Sequence, residues 1–191
     1  CVTLVDDPTV PELYGSYAVD DEGTPSQRTV LVENGVLRCY LTDILSARRG
    51  AWPLSGNGRR ESYRHLPVPR MSNTYVLPGS VSLQDMLAQA EQGLFVRKLG
   101  GGEVDPTSGD FVFAVTEGYL VEKGRVGAPV RGATLTGNGP AVLHQILAVG
   151  SSLYMDPGSC GKNGQSVPVT DGQPTLLLGS MVVGGSDASY A

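Results

Sequence analysis

Cysteine and histidine are scarce, at three and two in 191 residues. Cys1, Cys39 and Cys160 are odd in number and far apart, so no disulfide framework is expected and a reducing compartment is. His65 and His144 lie far apart, and the chain has neither H-E-x-x-H nor C-x-x-C, which removes the usual local zinc signatures. Other motifs also fail. Gly161-Lys162 has Asp156 before it and Asn163 after it, where a phosphate loop needs Gly and Ser or Thr. Gly137-Asn138-Gly139 lacks the third glycine of a dinucleotide fingerprint because position 142 is Val. Ser159 has Pro157 where a nucleophile elbow needs glycine. No apolar run approaches 18 residues, which excludes a transmembrane helix. A net charge of −5 argues against a sequence-independent grip on nucleic acid.

Glycine and proline, by contrast, are plentiful at 26 and 13. Together they make up about a fifth of the chain against roughly 12% in an average protein. Such a chain turns often, and 40% hydrophobic residues suffice for a packed core. Thr29 to Tyr40 holds two apolar runs around Asn34-Gly35, a hairpin dipeptide. Phe111 to Val115 and Tyr119 to Val121 flank Thr116-Glu117-Gly118 and form a second hairpin candidate. Val2 to Val5 and Leu176 to Val183 read as strands. Three helices are expected. They are Thr42 to Arg49, Ser82 to Gln92 with Ser82 and Asp85 in capping-box spacing and Gly93 past its end, and Pro140 to Val149. Gly50 to Gly58, Gly100 to Gly109 and Asp156 to Gly164 are expected loops. The fold class is therefore α+β and predominantly β, an antiparallel sheet or barrel-like domain with two or three short helices. The chain opens inside a strand with neither initiator methionine nor signal peptide, so it is expected to be part of a longer polypeptide.

One segment combines reactive chemistry with an open backbone, Cys160-Gly161-Lys162-Asn163-Gly164-Gln165. An ammonium two residues from a cysteine favours thiolate, which is both nucleophile and metal ligand. Residue types leave three readings of Cys160 open: no role, metal ligand or nucleophile. One cysteine alone does not hold zinc. The arginines 48, 49, 59, 60, 64 and 70 lie among Trp52, Tyr63 and Tyr75. With a negative net charge, a solvated or carboxylate-paired cluster is expected rather than an RNA site. His144 reads as a half-buried structural residue of its helix.

In order along the chain stand Val5-Asp6-Asp7, Gly15-Ser16, Val19 to Thr24, Gly56-Asn57-Gly58-Arg59-Arg60-Glu61 and Arg70-Met71-Ser72-Asn73-Thr74-Tyr75. Ser108 to Phe111, Gly132 to Pro140 and Cys160 to Gln165 follow. This succession resembles the C-terminal half of a TldD-type subunit of the TldD/PmbA zinc peptidases, with Pro8 where that family has glycine. The resemblance implies a single C-terminal domain, residues 1–191, of a cytoplasmic metallopeptidase acting on unfolded or small peptides. It implies a zinc ion held by two histidines of an upstream H-E-x-x-x-H helix, with Cys160 as the third ligand and the glutamate as general base. His65 and His144 match no ligand position. No catalytic residue is then expected in this chain, and Lys162, Asn73 and Thr74 are candidate substrate contacts. The implied partner is a PmbA-like paralogous subunit, with neither nucleic acid nor membrane contacted directly. A role as modulator of DNA gyrase also attaches to the family. Two readings compete: a non-catalytic interaction module of such a complex, and a hydrolase with Cys160 as nucleophile beside His144.

Overall fold

In the computed structural model, residues 2–105 and 107–185 are described. Asn34 and Gly35 take φ of 50° and 82°, the left-handed pair that a two-residue hairpin requires. They join β2 (Thr29–Glu33) to β3 (Val36–Leu37) as expected. Outward from this hairpin, β2 pairs antiparallel with β1 (Leu4–Asp6), and β1 antiparallel with β6 (Asn73–Val76). Between them in sequence come α1 (Ile44–Gly50), capped by the Asp43 carboxylate on the Ser46 N–H at 2.6 Å, and the short ribbon of β4 (Gly58–Arg59) and β5 (Val68–Pro69).

Next in sequence are α2 (Leu83–Ala90), β7 (Gln92–Val104), β8 (Asp110–Glu122), β9 (Arg125–Pro129), β10 (Ala133–Asn138) and α3 (Gly139–Leu143). The chain closes with β11 (Ile146–Lys162), β12 (Gln165–Leu178) and β13 (Val182–Gly185). Two compact units result. One holds residues 2–78 and 152–174, and the other holds 79–151 and 175–185. In the first, the strand order is β11-β12-β6-β1-β2-β3, with β12 parallel to β6 at Thr170↔Asn73. In the second, the order is β13-β10-β8-β7, all antiparallel, with β9 also on β8. Strand dominates, the sheets are open, and the predominantly β class is the observed one.

Several local expectations are corrected. Residues 111–121 are not a hairpin but part of one 13-residue strand, β8, because β7 pairs along it and absorbs Gly100–Gly102 in register shifts. The turn comes later, at Lys123-Gly124 with φ of 50° and 70°. The expected loop from Gly100 shrinks to 105 and 107–109, where the Asp105 carboxylate accepts from the Thr107 N–H at 2.7 Å. The helix from Pro140 ends at Leu143, since the following Ile-Leu-Ala-Val run is drawn into β11, where Val149 and Gly150 accept from Val81 and Gly79. Gly93 lies within β7, and α2 ends on Glu91. Leu176 to Val183 is not one strand, since β12 ends at Leu178 and β13 begins at Val182. Asp156 to Lys162 is strand, not loop, and only Asn163 and Gly164 form the turn, with φ of 53° and 70°.

The first unit has a small apolar interior, notably Val2, Val5, Val167 and Val169. Beside it are buried Asp6, Asn57, Arg59, Arg70, Ser72, Asn73 and Thr170. Polar groups out of water must be satisfied, so this set is read as a network. The second unit packs Met86, Val115, Val121, Ala133 and Ile146.

Candidate functional site

Asp6 sits on the central strand of the first unit with no exposure. Its Oδ1 accepts from the Ser72 N–H at 2.8 Å and the Thr74 hydroxyl at 2.6 Å. Its Oδ2 accepts from the Asn57 amide at 2.7 Å and the Ser72 hydroxyl at 2.6 Å. Four donors fill the acceptor capacity of a carboxylate. Asn57 then carries the network on to Arg70. Its side-chain amide donates to the Arg70 carbonyl at 3.1 Å, and its backbone carbonyl accepts from the Arg70 N–H at 3.0 Å.

Arg70 reaches the cysteine segment. Its Nη2 donates to the carbonyl of Cys160 and, at 3.1 Å, to that of Gln165. Gln165 in turn clamps the 61–66 loop, accepting from the Glu61 N–H at 3.2 Å and donating to the Leu66 carbonyl at 3.1 Å. The Glu61 carboxylate accepts from the Ser166 N–H at 2.7 Å. Arg59 braces the other side, donating to the carbonyls of Met71 at 2.7 Å and Pro168 at 2.9 Å, with its guanidinium 4.9 Å from the Tyr17 ring centre. Burial lowers the Arg59 pKa and raises that of Tyr17 above the usual phenol range.

Cys160 is a free, half-buried thiol three residues before the Asn163-Gly164 turn, and its Sγ makes no hydrogen bond among the described residues. Cys39 differs. It donates to the Val30 carbonyl at 3.1 Å, and burial pushes its thiol pKa up. Cys1 lies outside the described residues. Lys162 is exposed, and its ammonium donates to the Pro69 carbonyl at 2.8 Å. Asn73 has no exposure; its Oδ1 accepts from the Gly15 N–H at 3.1 Å, and its Nδ2 donates to the Asp7 carbonyl and the Ser16 hydroxyl, both at 2.9 Å. A side chain at Gly15 would collide with the Ser72 carbonyl, so glycine is required there. Thr74 is committed to Asp6.

The arginine cluster divides as its chemistry dictates. Arg59 and Arg70 are buried on carbonyls, Arg60 pairs with Asp21 at 3.7 Å, and Arg64 lies on Tyr63. His144 is exposed at the C-terminal cap of α3 rather than half-buried, because that helix is too short to carry it onto an apolar face. His65 shares a hydrogen bond with the Ser62 hydroxyl at 3.0 Å. Among the described residues no three His, Cys, Asp or Glu side chains converge as a metal site. A soft, unpaired thiol is good donor chemistry for one position of a zinc site, and the described residues do not complete the set.

Residues 1–185 match the family profile described as the PmbA/TldA metallopeptidase C-terminal domain. The chain belongs to the PmbA/TldD family. It is 49% identical to the Metalloprotease TldD homolog of Haemophilus influenzae over 97% of this chain and 39% of that relative. It is 36% identical to the Zinc metalloprotease TldD homolog of Saccharolobus solfataricus over 87% of this chain and 37% of that relative. A Thermotoga maritima structure titled as a modulator of a DNA gyrase superposes with a TM-score of 0.79 at 26% identity, covering 96% of this chain and 39% of that one. The chain thus spans well under half the length of the curated relatives it matches. No helix among the described residues is long and apolar enough to cross a membrane.

Proposed function

We propose that this chain is the C-terminal domain of a zinc-dependent peptidase and that it supplies Cys160 as a thiolate ligand. The observation that carries the reading is the state of Cys160. It is a free, half-buried thiol without a hydrogen-bond partner among the described residues, on a hairpin with one carbonyl of each strand held by Arg70. The metalloprotease and zinc names of the relatives support the same chemistry. The two histidine ligands and the glutamate base belong to the part of the protein outside this chain. Zinc, when bound, acidifies a water and polarises the scissile carbonyl.

This chain's own share is structural and electrostatic. The β11–β12 hairpin holds Cys160 three residues before its turn, the position from which it would complete a zinc site with ligands from outside this chain. Lys162, exposed and tied to Pro69 by one of its three protons, keeps donors free for a substrate carbonyl or carboxylate. Asn73 and Thr74 serve the buried network, so the substrate contact is assigned to Lys162 alone among the three. The substrates are unfolded or small peptides, the partner is a PmbA-like paralogous subunit, and the compartment is the cytoplasm.

The test is metal analysis and peptidase assay of the full-length protein. Cys160→Ala is expected to lose zinc and activity with the fold retained, and Cys39→Ala to keep both. Zinc and activity retained by Cys160→Ala but lost by Cys39→Ala would refute the ligand assignment. Activity that survives chelators but not alkylation would instead mark Cys160 as a nucleophile.

A further inference from the structure

We propose that Arg70 is the positioning residue for Cys160, fixing the backbone from which the thiol projects; this rests on the reading of Cys160 as a metal ligand. Arg70 is 2% exposed, and its Nη2 donates to the carbonyls of both Cys160 and Gln165. Those carbonyls lie on opposite sides of the Asn163-Gly164 turn, so one nitrogen staples the two strands of the hairpin at the level of the thiol. The Cys160 carbonyl shares its Cα with the thiol-bearing Cβ, so anchoring one restricts the direction of the other. Arg70 is itself anchored at both backbone atoms by Asn57, and Asn57 by Asp6.

The remainder of the guanidinium argues that stability is not its purpose. Nε and Nη1 are buried without a hydrogen-bond partner among the described residues. None of the ion pairs among those residues involves Arg70. A buried cation with unpaired donors destabilises a fold relative to an apolar side chain of similar volume. Every side-chain hydrogen bond that Arg70 makes among the described residues goes to the two hairpin carbonyls. A buried guanidinium whose side-chain hydrogen bonds among the described residues go only to the carbonyls of Cys160 and Gln165 acts on the backbone that carries the thiol.

The experiment uses full-length protein stripped of metal and titrated with cobalt(II), whose bond to thiolate gives a charge-transfer absorption. Loss of an outer-shell partner of a metal ligand weakens metal binding about 10- to 100-fold. Arg70→Met is expected to show that loss and a weakened thiolate band, with a metal-free melting temperature no lower than the parent's. Arg70→Lys, with donors for the same carbonyls, is expected to recover part of the affinity, and Cys160→Ser to remove the band. Parental affinity and band in Arg70→Met, with the band gone in Cys160→Ser, overturn the positioning role and leave the ligand reading intact. A band that persists in Cys160→Ser overturns the ligand reading itself. A lower metal-free melting temperature or failure to fold in Arg70→Met assigns the guanidinium to stability and overturns the proposal, as does Arg70→Lys binding no better than Arg70→Met.

Discussion

Changing Asp6 to asparagine alters almost no volume and tests the buried network at its centre. The carboxylate accepts four hydrogen bonds, two on each oxygen. Asparagine keeps one acceptor oxygen and turns the other into a donor. If the new amide nitrogen replaces Oδ1, it faces the Ser72 backbone N–H, which cannot reverse, and the Thr74 hydroxyl, which can. If it replaces Oδ2, it faces the Ser72 hydroxyl, which can rotate to accept, and the Asn57 amide. Asn57 could flip, because its Oδ1 has no partner, but flipping would release the Arg70 carbonyl. In each orientation one donor is stranded and the surviving bonds lose their ionic character.

A stranded buried donor costs roughly 1–3 kcal/mol, and hydrogen bonds to a charged acceptor contribute about 1.5–3 kcal/mol against about 1 for neutral ones. The expected loss for Asp6→Asn is therefore about 2–4 kcal/mol. Urea unfolding of the full-length protein, followed by circular dichroism, measures it beside an Asp6→Ala variant. A loss below about 0.5 kcal/mol would refute the argument, since half the acceptor capacity of the site would then be dispensable. Asp6→Ala milder than Asp6→Asn would point instead to the added donor, not the lost acceptor, as the damaging change.

Other expectations follow from single residues. Gly164 holds φ of +70° with open space where a Cβ would go, so Gly164→Ala is expected to cost about 1–2 kcal/mol through backbone conformation alone, measured by the same unfolding assay. A Gly164→Ala protein of parental stability would show that the turn relaxes. Asp171 has its pKa raised by burial and then by the neighbouring Asp156 carboxylate. Its folded state therefore holds a proton more firmly than its unfolded state, so its contribution to stability falls as pH rises from below the ordinary carboxylate value through the raised one. Asp171→Asn is expected to flatten that fall in thermal scans across the acid range, and an unchanged slope would count against it. Burial keeps the Cys39 thiol protonated to higher pH, so its alkylation rate in native protein is expected still to be rising above pH 9. A plateau below pH 9 contradicts this.

Where an element was set by its own residues, the amino-acid sequence was enough. Asn34-Gly35 turns because both residues tolerate positive φ, and Ser82 caps α2 because its hydroxyl reaches the Asp85 N–H at 3.1 Å. Local residues do not decide an element where a distant strand does. The run after His144 alternates as well with a helix as with a strand, and pairing with residues 79–81 settled it. Residues 156–162 looked like a loop because of Gly158 and Gly161, although Asn163-Gly164 is the same hairpin dipeptide that placed the first turn correctly. Glycine weakens an isolated strand, yet with β12 alongside the backbone has its ladder and stays extended.

The candidate site divides along the same line. Cys160 stood out by residue type, because a lone thiol beside a lysine among glycines is conspicuous in one stretch of chain. Arg70 and Asp6 did not, since an arginine among five others and an aspartate beside another carry no local mark. Their partners lie 90 residues away for Arg70 with Cys160 and 66 for Asp6 with Ser72. Such contacts cost loop-closure entropy that grows only slowly with separation, so folding can use them freely while local periodicity never registers them. One trace was present: Asp6 continues the Leu4-Val5 run into a strand, where a charge needs either water or a full set of donors. Asn57, beside Gly58, and Ser72 and Thr74, within the Ser72-Asn73-Thr74 stretch, supply its donors. A charged residue inside a short strand, together with polar segments that lack any turn or cap to serve, is thus a readable sign of a buried polar hub, and here that hub leads through Asn57 and Arg70 to the cysteine.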